Sequence, residues 1–253
     1  MSLRIAIVCE ARADYDLATT LIDGLLCKSV DWIDRDQIED YRKYCGLDST
    51  NENECFLIWK SVPKLAKDRS VPFHGFFRGK MPAAPDSVTA MKALLMFDRA
   101  VPRPEAVILL RDSDCDLTRI DGLKQARDQE PWAFPIAIGV AHTKRECWLI
   151  AGFEPENASE ESLLDQLRGD FPPGVGYDAR LYSQHLTAKQ EGAKLDAKRV
   201  LNHLSRGDTE RELRCLSNLH NQGIVDERAS ENGLKDFYEE IVRRVLPLFR
   251  PVR

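Results

Sequence analysis

Ala106-Val-Ile-Leu-Leu-Arg111-Asp112-Ser-Asp114-Cys-Asp116 decides the fold. Residues 106–110 are apolar without alternation, the pattern of a strand covered on both faces, as in a parallel sheet layered with helices. The run then ends in aspartates at every second position. Carboxylates that close repel one another, and one stays protonated unless a cation lies between them. Hard oxygen donors in this arrangement point to Mg²⁺ or Mn²⁺.

Working outward, a second apolar run, Leu3 to Cys9, interrupted only by Arg4, ends in Glu10. Asp14 is placed to cap a helix to about Leu26, with Leu17, Leu21, Ile22 and Leu25 on one stripe. Residues 31–70 are expected to form a helical insert, with short helices at Gln37–Tyr44 and Cys55–Lys67. Val71–Phe77 is expected as a strand, and Asp86 as the cap of a helix reaching about Ala100. After the strand at 106–111 come a helix at Thr118–Gln129, a strand at Trp132–Val140 and a helix at Lys144–Ala151 carrying Glu146. This alternation predicts an α/β fold, a parallel sheet of about four strands flanked by helices. Ligands in such sheets gather at the carboxyl ends of strands. Glu10 and the aspartates both stand at such ends. A Pro/Gly-rich stretch near Gly169–Gly176 interrupts the pattern, and helices are expected at about 186–204, 208–218 and 232–247. The division expected is a metal-binding core over 1–152 and a mainly helical C-terminal extension over 153–253.

With 43% hydrophobic and 30% charged residues, the chain has the composition of a globular domain rather than a disordered one. A net charge of −5 excludes a generally basic nucleic-acid coat. The charge is uneven: from Arg180 onward 14 Lys/Arg stand against 11 Asp/Glu, and before it 22 against 30. An acidic part followed by a mildly basic one suits a polyanion bridged by metal. The seven cysteines form no Cys-x-x-Cys pair, so neither a zinc ribbon nor a disulfide framework is expected. Reduced thiols, no run near the ~20 apolar residues of a membrane span, and a short N-terminal apolar stretch ending in Glu10 and Arg12 give the expectation of a cytoplasmic protein.

Strand, Glu10, helix, strand, helix, strand, Asp112-x-Asp114 is the order of a Toprim domain, and residues 3–152 resemble that family of topoisomerases, primases and overcoming-lysogenization-defect nucleases. Glu10-Ala-Arg-Ala-Asp14 is similar to the family's Glu-Gly-x-x-Asp, with Ala11 in place of the glycine. Among these proteins the chain looks most like the small nucleases of phage-defence systems. The resemblance implies a further carboxylate after the fourth strand, at Glu146, and a lysine beyond it, for which Lys189, Lys194 and Lys198 are candidates; Lys194 is taken first. It also implies DNA or RNA as substrate and a separately encoded ATPase partner, since the chain has no Gly-x-x-x-x-Gly-Lys-Ser/Thr loop. No tyrosine nucleophile can be assigned.

The chemistry expected is metal-assisted phosphodiester hydrolysis. Asp112 and Asp114 would hold one Mg²⁺, Asp14 and Glu146 a second, with the ions about 4 Å apart across the displaced phosphate. Glu10 would be a ligand or the base that takes a proton from water. Asp116 is better suited to capping the helix that follows. Two other motifs compete for the same residues. A calcium loop fails, because Leu117 and Leu123 stand where glycine and glutamate are needed. Asp114-Cys-Asp116-Leu-Thr118 resembles the nucleophile motif of haloacid-dehalogenase-type phosphatases, which normally follows the first strand rather than about the third. A Toprim-like subunit that binds nucleic acid or regulates without cutting is the remaining alternative. His142 with Glu146 does not make a zinc motif, and Phe73-His-Gly-Phe76-Phe77 is expected as buried strand rather than a base-stacking platform.

Overall fold

The computed structural model describes residues 2–47, 54–73, 75, 77, 81–171 and 178–250. It is α/β, built on a five-stranded sheet. Strand β1, Leu3–Cys9, lies inside the sheet, and helix α1, Arg12–Ser29, follows at once. A short helix α2, Ile38–Tyr41, leads into β2, Arg42–Cys45, and then come β3, Leu57–Ile58, and helix α3, Val62–Asp68. Helix α4, Ser87–Asp98, precedes β4, Ala106–Asp112. Helix α5, Thr118–Arg127, precedes β5, Ile136–Ala141. The order is β2-β1-β4-β5, with β3 also on β1.

All three partners of β1 run parallel to it. Leu3–Ala6 pairs with β2, Val8 and Cys9 take β3 on from there, and on the other side Ile5–Val8 pairs with Ala106–Leu109. Such pairing needs crossovers, which the intervening helices supply. Residues 5–9 of β1 and 106–109 of β4 are all buried, as the two unbroken apolar runs require.

Four expectations are corrected. Val71–Phe73 forms no strand, and Phe77 makes only an isolated antiparallel bridge to Met81; His74 and Phe76 lie outside the described residues. Val71 and Phe77 are nonetheless in the core, so their apolar character reports burial, not pairing. The insert at 31–70 is not simply helical, since it contributes β2 and β3. The helix expected at 37–44 stops at Tyr41, and that expected at 55–67 starts at Val62, after a 3-10 turn at Trp59–Ser61. Asp14 does not precede α1. Ala11 is the cap residue, and Asp14 sits in the first turn, reaching back to accept from the Ala11 N–H at 2.9 Å and the Glu10 N–H at 3.2 Å. That satisfies donors left over at a helix start.

The chain forms two compact units that do not divide at 152. The first comprises Met1–Arg111, Asp116–Val140 and Glu239–Arg253. Its core lies between one sheet face and α3, α4 and α5, with Val8, Leu94, Phe97, Leu109 and Leu123 at its centre. Helix α1 brings Leu17, Leu21 and Leu25 into burial and packs on β1.

The second unit comprises Asp112–Cys115 and Ala141–Tyr238. Helix α6, Arg145–Ala151, is its hub, packed against α8, Ala197–Ser205, and α9, Thr209–Asn218. Trp148 is fully buried, stacks on Phe237 at 5.5 Å and donates its indole N–H to the Asn232 carbonyl at 2.7 Å. Helix α7, Ala158–Leu167, is tied to α9 by buried Arg211, which pairs with Glu160 at 2.9 Å. The helix expected from 186 begins only at Ala197.

Candidate functional site: carboxylates at the strand ends

In the first unit, β1 and β4 run side by side with Val8 opposite Leu109. Continuing that register two residues brings Glu10 level with Arg111. The two side chains form an ion pair. Arg111 also reaches Asp86 at 3.2 Å, Arg119 stands 3.7 Å from the same carboxylate, and the Arg111 guanidinium lies over the Trp59 ring, 5.0 Å from its centre. Asp86 does precede α4, as expected, but in the left-handed region with φ 64° and without a side-chain cap bond. Its carboxylate serves the arginines instead. Helix α5 can approach this turn because residue 122 is glycine, and a Cβ there would collide with the Pro85 carbonyl. Asp116 accepts from the N–H and the hydroxyl of Thr118, at 3.1 and 2.5 Å, and the hydroxyl bond holds its pKa below the usual value. It acts as the local helix-start acceptor that was expected.

In the second unit, the 112–115 loop hangs on the residues after β5. Backbone N–H groups of Ser113 and Asp114 donate to the carbonyls of Ala141 and Thr143, at 2.8 and 3.0 Å. The Ser113 hydroxyl is buried and lies 2.9 Å from Nδ1 of His142. Asp112 accepts from the Arg145 N–H, the start of α6, at 2.9 Å. This is a favourable place for a carboxylate, because the unsatisfied N–H groups of a helix start carry partial positive charge. Asp114 and Cys115 both take left-handed backbone, φ 48° and 68°. Aspartate tolerates this conformation and cysteine less so, and the turn leaves both side chains exposed.

Glu146 is buried, 3.5 Å from the Arg145 guanidinium. Lys144 pairs at 3.5 Å with Asp196, which is buried and also accepts from the N–H groups of Gly192 and Lys198, at 2.9 and 3.2 Å. Lys194 is exposed and pairs with Asp170 at 3.4 Å, while Lys189 and Lys198 are exposed. Burial pushes the Cys147 thiol up to about 11, so it is no thiolate at neutral pH.

Asp112, Asp114, Glu146 and Lys194 therefore belong to one unit, and Glu10 and Asp14 to the other. Among the described residues, no three His, Cys, Asp or Glu side chains gather into a group that could hold a metal ion. The carboxylates expected as ligands do not fit a metal ion as they stand. Glu10 is engaged by Arg111, Asp14 by the start of α1, Asp112 by the start of α6 and Glu146 by Arg145.

Sequence reasoning missed the cations. Arg111 was legible as a charge ending a buried run, which demands a carboxylate partner; that its partners are Glu10 and Asp86 was not. Lys144 and Arg145 stand beside Glu146 in the sequence and were passed over for lysines further on. No family model, curated protein or solved structure matches the chain. No helix among the described residues is long and apolar enough to cross a membrane.

Proposed function

We propose that this chain is a Toprim-like nuclease, hydrolysing phosphodiester bonds of DNA or RNA in the presence of Mg²⁺ or Mn²⁺. The observation that carries the reading is the second unit's arrangement. The Asp112–Asp114 turn, with Asp112 half-buried and Asp114 exposed, is hydrogen-bonded to the residues after β5 and to the first N–H of α6. Lys144, Arg145 and Glu146 follow directly at that helix start. Carboxylates beside cations at the end of a parallel strand suit a phosphate-handling site, and Lys144 and Arg145 would take the phosphate oxygens.

The test is cleavage of labelled DNA and RNA by the purified chain with Mg²⁺ or Mn²⁺. Cutting is expected, and Asp112→Ala and Asp114→Ala should each abolish it; undiminished cutting by both variants ends the proposal. Lys144→Met should weaken nucleic-acid binding. The engagement of Glu10, Asp14, Asp112 and Glu146 by protein donors favours a second reading, a Toprim-like subunit that binds nucleic acid or regulates without cutting, and binding with no cleavage would establish it. Hydrolysis of small phosphate monoesters would instead support the phosphatase-like motif. Resemblance alone carries the further proposals of antiviral defence and of a separately encoded ATPase partner.

A further inference from the structure

The Glu10–Arg111–Asp86–Arg119 cluster of the first unit sets two carboxylates against two guanidiniums. Arg111 is one-tenth exposed, ion-paired with both carboxylates and laid over the buried indole of Trp59. A divalent cation bound between Glu10 and Asp86 would have to expel this guanidinium from both ion pairs and from the ring face. Guanidinium suits such a role better than an ammonium, since its planar fork serves two carboxylates while its face stacks.

We infer that Arg111 is a built-in cation standing where a metal ion would otherwise bridge the carboxylates, so that Glu10 is a positioning residue for the strand ends and neither a metal ligand nor a base. Arg111 joins the end of β1 to the turn before α4 through two carboxylates, and Arg119 adds α5 to the same turn. This holds whether or not the chain cuts nucleic acid, because it concerns ion uptake alone.

The test counts Mn²⁺ bound per chain by paramagnetic resonance, with thermal melts run in parallel. Glu10→Gln should bind as many ions as the wild type while melting at a lower temperature. Arg111→Met should bind one ion more than the wild type, with affinity at least roughly tenfold above any other uptake at that cluster, the scale expected when paired carboxylates lose their counter-charge. The double variant carrying E10Q as well should lose that extra ion. Fewer ions on Glu10→Gln than on the wild type would overturn the inference, as would a folded Arg111→Met variant with no added ion. If Arg111→Met does not fold, the Glu10→Gln count decides alone. Nuclease assays play no part, so a failed cleavage experiment and a failed ion count remain separate results.

Discussion

Both units hold carboxylates at strand ends, yet they neutralise them by different means. In the first, Glu10 and Asp86 are closed by side-chain cations, Arg111 and Arg119, over an aromatic floor. In the second, Asp112 accepts from the backbone N–H of Arg145, and Asp196 from those of Gly192 and Lys198 as well as pairing with Lys144. A side-chain ion pair fixes charge balance and leaves little need for a third party. A backbone donor is only a partial charge, and Asp196 takes the Lys144 ammonium besides. Residue type alone does not tell which kind of donor meets a carboxylate.

The comparison breaks first at Arg111. Removing a guanidinium from two partly buried carboxylates leaves them uncompensated, so Arg111→Met should cost about 3 kcal/mol. Lys198→Met should cost little, because Asp196 uses the Lys198 N–H, which the substitution leaves in place. Urea denaturation of both variants checks this. Equal losses would show that the two units do not differ in the way described.

Asp196 sharpens the backbone side of the comparison. Burial by itself would raise its pKa, but the N–H groups of Gly192 and Lys198, with Lys144, outweigh that and hold it below 3.8. A folded-state pKa below the unfolded one gives stability that is present above pH ~4 and lost as pH falls through the folded value. Asp196→Asn should therefore cost about 2 kcal/mol at pH 7, the worth of hydrogen bonds to a charged group. The gap to the wild type should close below pH ~4, and melts from pH 7 to 3 read it directly.

These partnerships mark how far the sequence could be followed. The apolar runs at 5–9 and 106–110 announced buried parallel strands, and both are there. β2 escaped because Arg42-Lys43 breaks any apolar pattern, and β3 because two residues are too few to show a period. Val71–Phe77 misled for the opposite reason: Val71 and Phe77 are drawn into the core by tertiary packing, and Val71–Phe73 forms no strand. The positions of Glu10, Asp112, Asp114 and Glu146 at or just after strand ends were legible from order alone. Their neighbours were not, since Arg111 and Asp86 are 25 residues apart, and Lys144 and Asp196 are 52. Such pairs are set by how helices lie on the sheet, which no local pattern encodes.

Asp14 gives a smaller effect within the first unit. Its carboxylate accepts from the N–H groups of Glu10 and Ala11, so Asp14→Ala should cost about 1 kcal/mol as a lost helix-start acceptor. Asn at this position should recover part of it, because the amide oxygen still accepts. If Asp14→Ala were neutral by calorimetry, the start of α1 would be held by packing alone.

The smallest effect lies at His142, which braces the 112–115 loop through Ser113 at 2.9 Å. Burial lowers its pKa, and the neighbouring His185 lowers it further. As pH falls below 6.5, the unfolded chain takes up the proton before the folded one, so stability declines toward acid. A protonated imidazole donates from both nitrogens, and the Ser113 hydroxyl must then turn to accept. His142→Gln removes the titration, so its melting temperature should change less than the wild type's between pH 7 and 5, with the difference appearing as slope and not as a constant offset. Parallel slopes would mean that this imidazole titrates alike in the folded and unfolded chains, and that the loop beside Asp112 and Asp114 is insensitive to its charge.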